Sequence, residues 1–211
     1  MIDVTPLLLG SFFQANCYLA VNENREAFAV DIGGDADILI RRLERDGITL
    51  KKILLTHGHY DHIRGVALAA EKTGAEVFIH EEDKVMLTSE GASLARFVGT
   101  DQFTPVEKFN VVKDGDIISF GETEIKVLHT PGHTKGSVCF IADDMIFSGD
   151  TLFCSSIGRT DFPGGSYSEI CDSLRKLAAL GKDKDYRVFP GHNETTTLSR
   201  ELKYNPYFGE I

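Results

Sequence analysis

The sequence predicts an α/β fold of four layers, with two mixed β-sheets face to face and helices on their outer sides. Two observations lead there. Short β-type runs alternate with helical periods in both halves of the chain, and no proline-rich or serine-rich linker separates the halves. At 211 residues the chain can bury a sizeable core without disulfides, so one domain over residues 1–211 is expected.

In the first third, Val4 to Leu9, Cys17 to Val21 and Ala27 to Ile32 read as consecutive antiparallel strands, broken at Asn22-Glu23-Asn24 and Gly33-Gly34. From Asp35 to Asp46 a helical period puts Ile38, Leu39 and Leu43 on one side, with Asp35 as N-cap and Gly47 as stop. A buried strand, Lys52 to Leu55, leads through a histidine-rich loop into a helix from Asp61 to Thr73 that Gly74 ends. Glu76 to Ile79 reads as a strand and Glu81 to Leu87 as a short helix. Thr88 to Thr104 carries no period and reads as an irregular, partly mobile connection.

The β-pattern returns as hairpins over Ile117 to Phe120, Glu124 to His129, Ser137 to Ala142 and Met145 to Ser148, with turns at Gly121 and Asp143-Asp144. A helix over Tyr167 to Leu180, a strand over Arg187 to Phe189 and a short helix near Thr195 to Lys203 follow.

Charge narrows the partners. With 22 basic and 32 acidic residues the formal charge is −10, a field that repels phosphate backbones and anionic lipid headgroups. Neither nucleic acid nor membrane is expected as a partner. The opening ten residues contain Asp3 and Pro6 but no basic residue, unlike a secretory signal, and no apolar stretch is of membrane-spanning length. Cys17, Cys139, Cys154 and Cys171 lack any Cys-x-x-Cys spacing and read as buried, reduced thiols of a cytoplasmic protein.

The chemistry is concentrated in Thr56-His57-Gly58-His59-Tyr60-Asp61-His62, where three imidazoles and a carboxylate directly follow a strand. In an extended loop, side chains two apart point the same way, so His57 and His59 can grip one cation while Asp61 and His62, turning into a helix, face a second. Imidazole with carboxylate suits zinc, iron, manganese or cobalt rather than calcium or magnesium. Three more strand ends carry a donor beside a glycine: Pro131-Gly132-His133, Gly149-Asp150 and Pro190-Gly191-His192. His80 and His129 lie outside this pattern and are expected to be ordinary polar residues.

This order of ligands resembles the metallo-β-lactamase superfamily, whose pattern is His-x-His-x-Asp-His followed by a His, an Asp and a His. The resemblance covers essentially the whole chain. It implies the metallo-β-lactamase sandwich, with His57, His59 and His133 on one metal, Asp61, His62 and His192 on another, and Asp150 bridging. Zinc is the expected pair of ions, with iron or manganese as alternatives. The Asp61-His62 pair and Asp150 are similar to the glyoxalase II branch, and the run Gly149 to Gly165 is similar to single-domain glyoxalase II-like hydrolases. Its Gly158-Arg159-Thr160-Asp161-Phe162 core also resembles persulfide dioxygenases, mononuclear iron enzymes that would draw on His57, His133 and Asp150.

The resemblance implies a binuclear hydrolase in which a metal-bridging hydroxide attacks the carbonyl of a small thioester such as lactoylglutathione. Asp61 is assigned to metal binding and to orienting the water. Asp31, at a strand end, is a candidate acceptor for the outer nitrogen of an imidazole ligand or an Asx-type turn with Gly33-Gly34. Arg159 is a candidate grip for a substrate carboxylate or a loop pin through Asp161. Phe153, Phe162 and Tyr60 are candidate pocket walls. Glyoxalase II adds a C-terminal helical domain that binds the glutathione tail, whereas 19 residues (211 − 192) follow His192. The thiol carrier is therefore left open by the sequence.

Overall fold

The computed structural model describes residues 2–10, 15–98, 103–182 and 184–211. The chain forms two compact units, Met1–Val111 and Val112–Ile211, each built on a mixed six-stranded sheet.

In the first unit, β1 (Asp3–Leu7), β2 (Cys17–Val21) and β3 (Glu26–Val30) form an antiparallel meander. Helix α1 (Ala36–Asp46) then carries the chain to β4 (Thr49–Leu54), which pairs parallel to β3. The capping read from sequence is present: the Asp35 side chain accepts from the Asp37 amide, and Gly47 sits at φ 60° in the left-handed region, where a Cβ is disfavoured. Beyond β4 come α2 (Tyr60–Ile63), α3 (Val66–Thr73) and β5 (Glu76–His80), parallel to β4, and β6 (Asn110–Val112) completes the sheet order β1-β2-β3-β4-β5-β6. Leu39 and Leu43 of α1 and Val66 and Ala69 of α3 join Leu19, Ala29, Ile53 and Val77 of the sheet in one buried core.

The helix expected from Asp61 to Thr73 is broken into α2 and α3. The cause is Gly65, whose amide donates to Ile32 O at 2.7 Å instead of continuing the helical ladder. A Cβ there would lie 2.5 Å from Gly34 O, so the break depends on glycine. The short helix expected over Glu81 to Leu87 is a single 3-10 turn, Lys84–Leu87, entered through i to i−3 bonds from Asp83 N to His80 O and from Met86 N to Asp83 O. Within Thr88 to Thr104 the described residues are irregular apart from a 3-10 turn at Ala95–Val98, and residues 99–102 lie outside the described residues.

In the second unit, β7 (Ile117–Phe120), β8 (Thr123–His129), β9 (Val138–Ala142) and β10 (Met145–Gly149) pair as successive antiparallel neighbours. After the small hairpin of β11 (Leu152–Phe153) and β12 (Ser156–Ile157), helix α4 (Tyr167–Leu180) returns the chain to β13 (Arg187–Pro190), parallel to β10. Strand β14 (Thr196–Thr197) and helix α5 (Leu198–Tyr204) follow. Leu174 and Leu177 of α4 and Leu198 of α5 cover Cys139, Ile146 and Val188. The β10–β13 register slips between Phe147 and Gly149, a bulge immediately before Asp150.

All four cysteines are free. Cys17 and Cys139 are buried as expected, but Cys154 and Cys171 are only partly buried. Cys154 sits beside the tip of the β11–β12 hairpin, and its thiol donates to Glu194 Oε1 at 3.3 Å. Among the described residues, no helix is long and apolar enough to cross a membrane.

Candidate metal centre

Donors stand beyond the carboxyl ends of strands in both units, after the parallel pairs β3–β4 and β10–β13 and, for His133, after the antiparallel β8. In the first unit, Asp31 directly follows β3 and the loop from Thr56 to His62 follows β4. Asp31 takes a left-handed φ of 53°, which turns its carboxylate back onto that loop. Its Oδ1 accepts from Thr56 N at 2.9 Å and its Oδ2 from Thr56 Oγ1 at 2.7 Å, while His62 Nδ1 approaches Oδ2 at 2.8 Å. A carboxylate can only accept, so His62 carries its proton on Nδ1 and offers the Nε2 lone pair to a ligand. The sequence candidate Asp31 is thus an imidazole acceptor rather than an isolated turn residue.

Thr56 extends the same logic to the next ring. Its hydroxyl hydrogen is committed to Asp31, so its oxygen accepts from His57 Nδ1 at 3.2 Å, leaving Nε2 of His57 as the donor to a metal. That Nε2 lies 3.1 Å from His59 Nδ1. Gly58, between the two histidines, donates its amide to the buried Asp83 carboxylate at 3.2 Å, a second anchor of the loop. Asp61 Oδ2 stands 3.8 Å from His62 Nε2 on a side chain 29% exposed.

In the second unit, Asp150 follows β10, His133 follows β8 and His192 follows β13. Asp150 Oδ2 lies 3.4 Å from His133 Nε2 and 3.6 Å from His192 Nε2. His133 Nδ1 donates to the Arg159 carbonyl at 2.7 Å, which again leaves Nε2 as the lone pair. The loop that brings this carbonyl needs Gly158, where a Cβ would fall 1.8 Å from Asp150 O and 3.2 Å from His133 Nδ1.

These separations fit a transition-metal ion. Tetrahedral ligands at about 2.0–2.1 Å from an ion stand roughly 3.3 Å from one another. Three pairs within the units, at 3.1, 3.4 and 3.6 Å, lie near that edge, and the Asp61–His62 pair stands wider at 3.8 Å. His57, His59, Asp61, His62, His133, Asp150 and His192 are therefore candidate ligands of a divalent ion.

The remaining sequence candidates are placed as follows. Arg159 grips Asp161 through two bonds of 2.7 Å, and its guanidinium lies 3.8 Å from the centre of the Phe162 ring. Asp161 is held down to about 2 by this hydrogen bonding from Arg159. Phe153 sets its ring edge-on to His192 with centroids 5.9 Å apart. Tyr60 is only 7% exposed, with its ring facing Phe103 at 6.3 Å. His80 is buried and accepts from Glu82 N at 3.3 Å, and His129 Nε2 bonds to Lys135 O at 2.8 Å.

The sequence model of the metallo-beta-lactamase superfamily matches residues 10–192. The chain belongs to the metallo-beta-lactamase superfamily. Within it, the chain is 36% identical over 212 residues to the hydroxyacylglutathione hydrolase GloC of Haemophilus influenzae, covering 98% of this chain and 97% of that one. The solved structure of BLEG-1, a B3 metallo-beta-lactamase, matches with a TM-score of 0.90 and 32% identity over 97% of this chain and 99% of its own. TTHA1623, solved in a di-iron-bound form, matches with a TM-score of 0.85 and 35% identity over 97% of this chain and 100% of its own. The superfamily fold expected from the sequence is thereby established.

Three contributors escaped the sequence reading: Thr56, Asp83 and the carbonyl of Arg159. Thr56 stands beside the histidine motif and could have been found as a hydroxyl next to three imidazoles. A backbone carbonyl leaves no sequence signal at all.

Proposed function

We propose that this superfamily member is a metal-dependent thioester hydrolase of glyoxalase II type, acting on a small acyl-thiol such as lactoylglutathione. The observation that carries the reading is its similarity, along nearly the full length of both chains, to a hydroxyacylglutathione hydrolase. On this reading residues 1–211 are one domain. His57, His59 and His133 hold one cation, Asp61, His62 and His192 hold a second, and Asp150 serves both. Zinc is the proposed ion; imidazole and carboxylate donors also admit iron, the metal in the TTHA1623 structure.

A bound ion pair would supply an acidified water and a Lewis acid for the carbonyl oxygen. The chain's own residues do the rest. Asp31, Thr56 and the Arg159 carbonyl fix the imidazole tautomers, so no ring must reorient during turnover. Asp61, the most exposed carboxylate of its group, orients the attacking water and accepts its proton. Water adds to the thioester carbon, the carbon–sulfur bond breaks, the departing thiolate takes the proton from Asp61, and the acid product releases its own proton to solvent as a carboxylate. Phe153, against His192, is the favoured apolar wall for the substrate; Phe162, Tyr60 and Arg159 complete the proposed lining.

The test is a hydrolysis screen of zinc- and iron-loaded protein against lactoylglutathione and other thioesters, with released thiol read by a thiol-reactive dye. Thiol release that stops on chelation is the expected result. Inertness toward every thioester, with oxygen uptake on a persulfide or opening of a β-lactam instead, would replace this reading.

A further inference from the structure

Two segments leave the parallel strands β10 and β13 and return to one anchor. Beyond Asp150, the β11–β12 hairpin turns at Ser155, held at φ 59°. Beyond His192, the chain passes Asn193, at φ 68°, to Thr196. Both segments end on the carboxylate of Glu201, a fully buried residue of α5. Oε2 accepts from Ser155 N at 2.7 Å, and Oε1 accepts from Thr196 Oγ1 at 2.6 Å and Arg200 Nη1 at 2.5 Å. One helical turn later, Asn205 Nδ2 donates to Glu201 Oε2 at 3.0 Å and to Ser156 O at 3.0 Å, with Phe153 O at 3.4 Å.

Docking α5 alone does not explain this cluster. A buried carboxylate loses its hydration, and an apolar residue in line with Leu198 would attach the helix without that loss. What a carboxylate adds is two acceptor atoms about 2.2 Å apart that draw donors from two different directions. One oxygen takes the hairpin that begins two residues after Asp150. The other takes the segment that begins at His192. The ring of Phe153, on the first segment, stands edge-on to His192, on the second, so the two segments also touch beside the ligand.

We propose that Glu201, supported by Asn205, is a positioning residue that sets Asp150 against His192 and so tunes the affinity for the cation His192 holds. The metal part of this inference rests on the binuclear reading above. The positional part concerns only the second unit and stands without it.

The experiment compares wild type with Glu201→Gln and Thr196→Val. Glutamine keeps the shape but turns an NH2 toward donors, and valine removes one segment's bond while leaving the carboxylate in place. The control is Leu177→Ala, a cavity in the same core of equal or greater loss in thermal midpoint. In metal-free protein, nitrogen-edited NMR of the imidazole rings should show displaced His192 signals in both test variants, with those of His59 unmoved. In chelator competition, one of the two zinc ions should lose about 10-fold in affinity in Glu201→Gln. Unmoved His192 signals in both variants overturn the proposal, as does an equal loss of zinc affinity in Leu177→Ala. If wild type binds no divalent ion, the thioesterase reading fails and the ring signals still decide the positional claim.

Discussion

The Nδ1 of His62 meets the Oδ2 of Asp31 at 2.8 Å, with the two side chains 0% and 2% exposed. The same oxygen receives the Thr56 hydroxyl, so one carboxylate governs two imidazoles, one directly and one through Thr56. Removing it in Asp31→Ala leaves buried donors unsatisfied. The expected outcome is about 10–100-fold weaker zinc binding, with about 1–3 kcal/mol lost from stability for each donor left without its partner. Chelator competition and urea unfolding read the two effects separately.

Gly158→Ala tests close approach. The added methyl would collide with the carbonyl of Asp150 and crowd His133 Nδ1, and both atoms belong to the segments that carry ligands. Activity should fall at least 10-fold, because the loop must move and take the Arg159 carbonyl from His133. A thermal midpoint and turnover equal to wild type would show that the loop yields freely.

The cysteines differ in reach. Burial pushes the Cys139 thiol up to about 11, and burial with the nearby Asp31 charge also raises Cys17. A thiolate is the reactive form, so both should resist a disulfide reagent at pH 8 until the protein unfolds. The partly buried Cys171 should react in the native state, and Cys154, whose thiol burial and the bond to Glu194 also push up, should react there more slowly. Counting released chromophore before and after denaturant checks this.

Much of the scaffold was legible because short-range rules carried it. Asp35 and Gly47 bracket α1 as capping chemistry requires, and the helix read over Tyr167 to Leu180 is α4. Continuous apolar runs such as Cys17–Val21 mark strands buried on both faces. The seven metal candidates were legible because each follows a strand and sits beside a glycine or another ligand. Long-range closeness was not. The break at Gly65 depends on Ile32, and β6, β11, β12 and β14 are two- or three-residue strands whose existence depends on a partner rather than a period. Glu201 did leave a trace: it stands three residues after Leu198, on the face of α5 that the helical period turns inward, where a charge is out of place unless it is held.

Arg159 and Asp161 give a pH signature. The Arg159 hydrogen bonds hold Asp161 at about 2, below the ordinary carboxylate value of 3.8. A lowered carboxylate adds its stabilisation above the unfolded value and loses it as pH falls, so the pair should persist to about pH 3 and open near 2. Both side chains are exposed, which keeps its share of stability small. An NMR titration of the Asp161 carboxyl carbon should show the low midpoint, and Arg159→Ala should return it toward 3.8. His133 should keep its tautomer in that variant, since it is held by a backbone carbonyl.

The most direct measurement is metal content by emission spectroscopy after equilibration with zinc and removal of excess, wild type beside Asp150→Ala. If seven side chains hold a pair of ions with Asp150 common to both, wild type should retain about two zinc per chain and the variant one or none. A wild type that keeps less than one, or a variant that still keeps two, would contradict the account.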